Sequence, residues 1–249
     1  FYFFPDDNML RAVGRIGFPV WFFLIGYARG RDIGGRLWLG ALILIPANIV
    51  AGIGLFPLNA LVTIIIIRLL LDNVMERALI SLNALWSIVV ILFLLILPTS
   101  MVAEYGTQAI IFAMFGYIVR NREDLQLSQE VFLFFVLTAF SSFVLIQHLL
   151  FAFDEPELVV MAAGTFAVVV VLCVFRLVLY PRLTKMLPCL IVNIIHLCGR
   201  RTLEIYVIHL LLFKILGVMF FPDRFVLFHF EWFYGVADTA LDEADTGAL

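Results

Sequence analysis

The stretch Glu130–Phe153 reads EVFLFFVLTAFSSFVLIQHLLFAF and carries no charged side chain after its first residue. As a helix rising 1.5 Å per residue it would reach about 36 Å, more than the ~30 Å hydrocarbon core of a bilayer. The polar turn Asp154-Glu155-Pro156-Glu157 follows, and then a second run, Leu158–Tyr180, whose only ionic residue is Arg176. In lipid every backbone polar group must be satisfied internally, so only helices and closed barrels span. These runs do not alternate as barrel strands do, and they predict an all-α, polytopic transmembrane bundle.

The rest of the chain agrees. It has 249 residues, 64 % of them hydrophobic and 14 % charged, with 26 Phe. Soluble proteins average roughly 45–50 % apolar and about 25 % charged. A soluble enzyme, a disordered chain and a disulfide scaffold are excluded on that ground. The net charge of −3 is too small to suggest a polyanion partner such as nucleic acid, so the expected solvent and partner is the lipid bilayer. Cys173, Cys189 and Cys198 show neither a CxxC nor a zinc-type Cys/His spacing. They read as packing residues, and no metal is expected.

Eight candidate spans follow: Leu10–Tyr27, Leu37–Phe56, Leu58–Leu71, Ala78–Leu97, Met101–Val119, Glu130–Phe153, Leu158–Tyr180 and Arg201–Phe221. Leu187–Leu197 is too short to span and reads as an interfacial helix or a lead-in to the last span. Arg29, Arg31 and Arg36 follow the first span, Arg68 and Arg77 flank the third-to-fourth turn, and Arg120 and Arg122 follow the fifth. Arg176, Arg182, Lys185, Arg200 and Arg201 follow the seventh. The alternate connections lack Lys and Arg altogether. By the positive-inside rule the Arg-rich loops are expected in the cytoplasm, with residues 6–8 and 154–157 outside. Residues 1–236 read as one transmembrane domain and 237–249 as an acidic polar tail. The run Phe1–Phe4, ended by Pro5-Asp6-Asp7-Asn8, reads as the last turn of a further span upstream.

Charged or titratable groups inside such spans are functional-site candidates, because hydrocarbon tolerates them poorly. Arg11 and Arg15 are spaced i,i+4 on one helix face. Glu104 and Tyr105 open the fifth span. In the last span Tyr206, His209 and Phe213 form a stripe, Lys214 is placed to snorkel outward, and Glu204 is placed to neutralise Arg200 and Arg201. Asn48, Asn59 and Asn83 are buried amides suited to tying helices together. Gly14, Gly17 and Pro19 mark the first span as irregular: Pro19 removes a backbone donor and bends the helix beside Arg15, while the glycines admit another backbone.

Gly14-Arg15-Ile16-Gly17-Phe18-Pro19, running on to Gly26-Tyr27 and Arg29, resembles the opening signature of the TraX-type pilin acetylase family. Glu104-Tyr105-Gly106 is similar to that family's start of a middle helix. Gly199-Arg200-Arg201-Thr202-Leu203-Glu204-Ile205-Tyr206-Val207-Ile208-His209 resembles the late Tyr-x-x-His helix shared with the integral-membrane acyltransferase superfamily. The resemblance implies an enzyme of the bacterial inner membrane. It would carry an acetyl group from acetyl-coenzyme A (acetyl-CoA) to a pilin N-terminus or a cell-surface glycan. His209 would act as base or positioning group, with Arg15, Glu104 and Tyr206 around the acceptor. Arg29, Arg31, Arg36, Arg120 and Arg122 would receive the coenzyme phosphates, for which Arg is suited. The family's Asp-His pair upstream of the Arg15 segment has no counterpart in this sequence. A non-enzymatic scaffold subunit and a small-solute transporter are the rival readings.

Overall fold

The computed structural model describes residues 7–178, 181, 186–221, 227, 228, 230 and 232. The expectations for Phe1–Phe4, Arg182, Lys185 and the acidic tail lie outside these residues. Among the described residues there are helices and no strands. The chain falls into two compact units, one formed by the described residues up to Ile33 with Val62–Arg176, the other by Gly34–Leu61 with the described residues from Leu177 onward.

The first unit begins with α1 (Asn8–Arg15) and α2 (Phe18–Tyr27). The break between them has a chemical cause. Pro19 has no N–H to give the carbonyl of Arg15, four residues back, so the ladder stops there. Ile16 N instead bonds Val13 O at 3.2 Å. Later come α4 (Ala60–Ala78, its first two residues counted with the second unit), α5 (Leu82–Leu94), α6 (Ile96–Ser100), α7 (Gln108–Arg120), α8 (Arg122–Leu125), α9 (Gln129–Phe151) and α10 (Glu155–Cys173). The second unit holds α3 (Gly35–Val50), α11 (Cys189–Arg200) and α12 (Thr202–Phe220).

Helix α9 shows why this fold belongs in lipid. Its buried positions are Phe132, Phe135, Val136, Ala139, Ser142, Phe143, Ile146 and Gln147, a stripe at helical spacing. The opposite face carries Leu133, Phe134, Leu137, Leu145 and Leu149, all exposed. A helix at a water surface would be polar there, so an outer face of this kind suits hydrocarbon. Ser128 Oγ caps the first turn by accepting from Val131 N at 3.3 Å. Ala152, in the left-handed region at φ 46°, ends the helix. Asp154 N then donates to Glu157 Oε2 at 3.0 Å to start α10.

Four helical stretches are long and apolar enough to cross a membrane: Asn8–Tyr27, Gln129–Phe151, Glu155–Cys173 and Thr202–Phe220. They match the first, sixth and eighth expected spans, and the seventh as far as Cys173, where the helix ends short of the expected Tyr180. The other four differ, each for a local reason. The second stops at Val50, ahead of Gly52 and Gly54 with φ of 68° and 89°. The third extends past Leu71 to Ala78 and takes in Asp72, Glu76 and Arg77. The fourth divides at Leu95, because Pro98 cannot donate to the carbonyl of Leu94. The fifth begins only at Gln108, because Tyr105 and Gly106 both have positive φ, 72° and 49°. Glu104 therefore lies in a turn and not on a helix.

Helix α7 is the axis of the first unit, with every residue from Gln108 to Gly116 buried. It meets α2 backbone to backbone. A Cβ on Gly26 would lie 1.8 Å from Ala113 O, and one on Gly116 would lie 2.0 Å from Phe23 O. Around this contact the rings of Phe18, Phe22, Phe23, Phe112, Phe115 and Phe143 interlock; Phe18 stacks on Phe143 at 4.9 Å and meets Phe112 edge-on at 5.4 Å. Gly14 and Gly17, expected to admit a neighbouring backbone, have nothing within 4 Å of a built Cβ. The close approach belongs to Gly26. In the second unit Gly40 of α3 is the tight point: a Cβ there would touch Leu61 and Val207 at 3.0 Å.

Gly26→Ala and Gly116→Ala are each expected to destabilise the detergent-solubilised protein by about 1–3 kcal/mol or more through overpacking. Gly199→Ala, with open space at its Cβ, is expected to be neutral or to add about 0.5–1 kcal/mol. Denaturant titration followed by circular dichroism measures all three.

Candidate functional site

At one end of the first unit three segments converge: α1, the turn before α7, and the end of α9. Asp7 Oδ1 caps α1 by accepting from Leu10 N at 2.9 Å, which fixes the face that carries Arg11 and Arg15. The guanidinium of Arg15 lies over the ring of Phe151 at 4.4 Å and of Tyr105 at 5.5 Å, and that of Arg11 lies over Phe151 at 5.6 Å. Among the described residues Arg15 makes no ion pair, with Glu104 or any other carboxylate.

The turn that presents Tyr105 is built by threonines. Thr99 Oγ1 donates to Leu95 O at 2.5 Å and accepts from Thr107 N at 2.9 Å, and Thr107 Oγ1 donates to Leu92 O at 2.6 Å. Thr63 Oγ1 donates to the carbonyl of Glu104 at 2.6 Å. Gly106 must be glycine, since a Cβ there would sit 2.4 Å from Thr99 Oγ1. Tyr105 itself holds a positive φ, a conformation that costs about 1–3 kcal/mol in a non-glycine residue. Its ring packs on Phe18 at 4.6 Å and Phe22 at 5.6 Å. The Glu104-Tyr105-Gly106 stretch is thus a strained turn that places an aromatic face under Arg15.

At the basic loops most of the candidate arginines are engaged by the protein. Arg31 Nε pairs with Asp72 at 2.9 Å, and its other nitrogens donate to the carbonyls of Ile25 (2.6 Å), Ala28 (3.0 Å) and Gly26 (3.2 Å). It closes the end of α2, where the last carbonyls lack intrahelical donors. Arg120 donates to Ala28 O at 3.2 Å. Arg122 bonds Gln129 Oε1 and lies over Phe132 at 4.4 Å. Arg68, which the sequence reading treats as a sidedness marker, donates to Asp32 O at 2.7 Å. Arg29 is exposed.

The second unit holds the other candidates. Tyr206, His209 and Phe213 do share one stripe of α12, with His209 at 5.3 Å from Tyr206 and 5.6 Å from Phe213, ring centre to ring centre. His209 Nδ1 lies 3.1 Å from Ile205 O. A carbonyl only accepts, so in this contact Nδ1 is the donor. Glu204 Oε1 pairs with Arg201 at 3.0 Å and with Arg36 at 3.3 Å, so Arg36 of α3 takes the place expected of Arg200. Lys214 does not snorkel. It is 6 % exposed and donates to Asn48 Oδ1 on α3. Asn59 also ties its unit together, donating to Ala41 O at 3.2 Å, whereas Asn83 is exposed. Cys189 and Cys198 are exposed on α11 and Cys173 is half-buried, so the packing reading suits Cys173 alone.

Sequence reasoning missed the buried amides of the first unit. Gln108 Nε2 donates to Ser142 Oγ at 3.2 Å, and the side-chain oxygens of Gln108, Gln147 and Thr165 are buried without a hydrogen bond. The available signal was a Gln or Ser on the core side of an otherwise apolar stripe. Arg15 and Glu104 thus belong to the first unit, and Tyr206 and His209 to the second.

Arg31→Ala is expected to lower stability by about 1–3 kcal/mol, because three helix-end carbonyls and Asp72 lose their donor. Arg29→Ala is expected to stay within about 0.5 kcal/mol of wild type, as exposed substitutions do. Parallel unfolding curves in one detergent separate the two.

No protein-family model, no curated protein and no solved structure matches the chain.

Proposed function

We propose that the protein is an integral-membrane acyltransferase that moves an acetyl group from acetyl-coenzyme A to an amine or hydroxyl acceptor. The observation that carries this reading is the contact of His209 Nδ1 with Ile205 O at 3.1 Å. With Nδ1 turned to that carbonyl, Nε2 is the nitrogen that acts as general base. In the reaction Nε2 takes the acceptor's proton while the acceptor attacks the thioester carbonyl. The carbon–sulfur bond then breaks, and the thiolate leaves with that proton. Tyr206, beside His209 at 5.3 Å, supplies a hydroxyl to the developing oxyanion.

The likeness to the TraX-type pilin acetylases supports the same reading, with a pilin N-terminus or a cell-surface glycan as acceptor. Among Arg29, Arg31, Arg36, Arg120 and Arg122, the exposed Arg29 is the natural contact for the coenzyme phosphates, since the others already serve the protein. We place the chain in a bacterial inner membrane as an eight-span protein, with the Arg-rich loops in the cytoplasm and residues 6–8 and 154–157 outside, on the positive-inside pattern.

One observation favours a second reading, a small-solute transporter. Lys214 is buried in α12 and bonded to Asn48, and ionisable groups at such depth mark solute or proton pathways.

The test uses full-length protein in vesicles supplied with acetyl-coenzyme A and an amine or sugar acceptor. His209→Ala is expected to reduce acetyl transfer at least ~10-fold at unchanged expression, as loss of a general base does. Transfer equal to wild type removes His209 from the chemistry. Acceptor flux without acetylated product, abolished by Lys214→Met, replaces the transferase with the transporter.

A further inference from the structure

No residue of α11 (Cys189–Arg200) is buried, yet its side chains are sorted by chemistry. Leu190, Ile191, Ile194, Ile195 and Leu197 lie along one side of the helix, and all are exposed. Cys189, Asn193, His196 and Arg200 lie along the other, spaced four, three and four residues apart. At 3.6 residues per turn that spacing keeps them in one line. Within the line Asn193 Nδ2 donates to Cys189 Sγ at 3.6 Å. A helix sorted in this way needs a different surrounding on each side.

The neighbouring helices fix where two such surroundings meet. The starts of α3 and α12 are joined by Glu204, which pairs with Arg201 at 3.0 Å and with Arg36 at 3.3 Å. Charges gathered at the starts of apolar helices belong at headgroup level, because hydrocarbon tolerates them poorly. From there α12 runs on as a helix long and apolar enough to cross a membrane. Helix α11 reaches the same level without a connecting loop. Arg201, at φ −115° and ψ 22°, is the joint, and Thr202 Oγ1 donates back to Cys198 O at 2.6 Å. The twelve residues of α11 rise about 18 Å at 1.5 Å each, too little to cross a ~30 Å hydrocarbon core. A row of large aliphatic side chains is costly in water. The boundary between water and hydrocarbon suits both sides of the helix.

We propose that α11 is a membrane-surface helix that lies in the plane of the interface. Leu190, Ile191, Ile194 and Ile195 enter the acyl chains of the bilayer, and Asn193, His196 and Arg200 stay among headgroups and water. A lead-in that merely continued α12 across the membrane would give both sides of α11 the same surrounding. The proposal stands independently of acetyl transfer. Two cysteines mark the two sides: Cys189 and Cys198 are both exposed, and nine residues, about two and a half turns, separate them. One thiol therefore sits in the polar line and the other in the middle of the aliphatic side.

The full-length protein is prepared with one of these thiols at a time, as Cys173→Ala with Cys198→Ala or as Cys173→Ala with Cys189→Ala. Each is spin-labelled at its thiol and placed in nanodiscs of phosphatidylethanolamine and phosphatidylglycerol. Electron paramagnetic resonance then compares relaxation by oxygen, which concentrates in acyl chains, with relaxation by nickel ethylenediaminediacetate, which stays in water. The oxygen-to-nickel ratio is expected to be at least ~10-fold higher at Cys198 than at Cys189, as insertion of one helix face below the headgroups requires. A ratio at Cys198 no higher than that at Cys189 overturns the proposal, whether both are high, as inside hydrocarbon, or both are low, as in water. Weak relaxation by both reagents at Cys198 also overturns it, because protein and not lipid then covers the aliphatic side. Should loss of the half-buried Cys173 unfold the chain, Cys173 is kept in both variants. Its own signal, taken from the protein with Cys189→Ala and Cys198→Ala, is then subtracted, and the same outcomes decide.

Discussion

The contact between α2 and α7 sets the first unit. In lipid, helices gain nothing by hiding apolar side chains from one another, because the tails outside are equally apolar. Association rests on close packing and on bonds between backbones and polar groups. Gly26 and Gly116 supply that packing by letting each helix touch the other's carbonyls. Helix α7 can then be buried all round although it is only thirteen residues long. The phenylalanine rings fill the space on either side of the contact, and Phe18, at the start of α2, meets rings from α7, α9 and the Tyr105 turn.

Seen against this packing, the segment that starts at Gly14 does several jobs in sequence. Arg15 turns to an aromatic cradle, Ile16 fills the gap left by Gly164 on α10, Phe18 seeds the ring cluster, Pro19 breaks the ladder, and Gly26 locks onto α7. Arg31 then closes the helix end. A dense signature of this kind is explained in large part by folding requirements. Arg15 is the half-buried member that makes no hydrogen bond among the described residues and lies over ring faces instead.

Much of the architecture was legible because hydrophobicity over twenty residues is a strong signal. The four long spans and the bend at Pro19 followed from it. The glycines were harder. A glycine in a helix is compatible with open lipid or with another backbone, and only the partner decides between them; Gly14 and Gly17 were assigned the role that Gly26 plays. Helix starts inside apolar runs were also hidden, since Met101–Ala103 is as apolar as a helix and the stretch is held in a turn by Thr99, Thr107 and Gly106. For the candidate site, the stripe of Tyr206, His209 and Phe213 could be read from spacing alone. The destination of Lys214 could not, because a flexible cation snorkels or turns inward according to whether an acceptor such as Asn48 lies within reach, and that is a property of α3 and not of its own helix. The engagement of Arg31 was equally invisible: a loop arginine next to a helix end looks the same whether it caps carbonyls or faces water.

The joint at Ile16–Gly17 divides the loyalties of the first two helices. Below it, α2 is clamped to α7 and cannot shift without dragging the centre of the unit along. Above it, α1 is seated against α10 through Ile16 and Gly164. The short α1 is thus tied to a different neighbour from α2, and the rings of Phe151 and Tyr105 brace it on the side that carries Arg11 and Arg15.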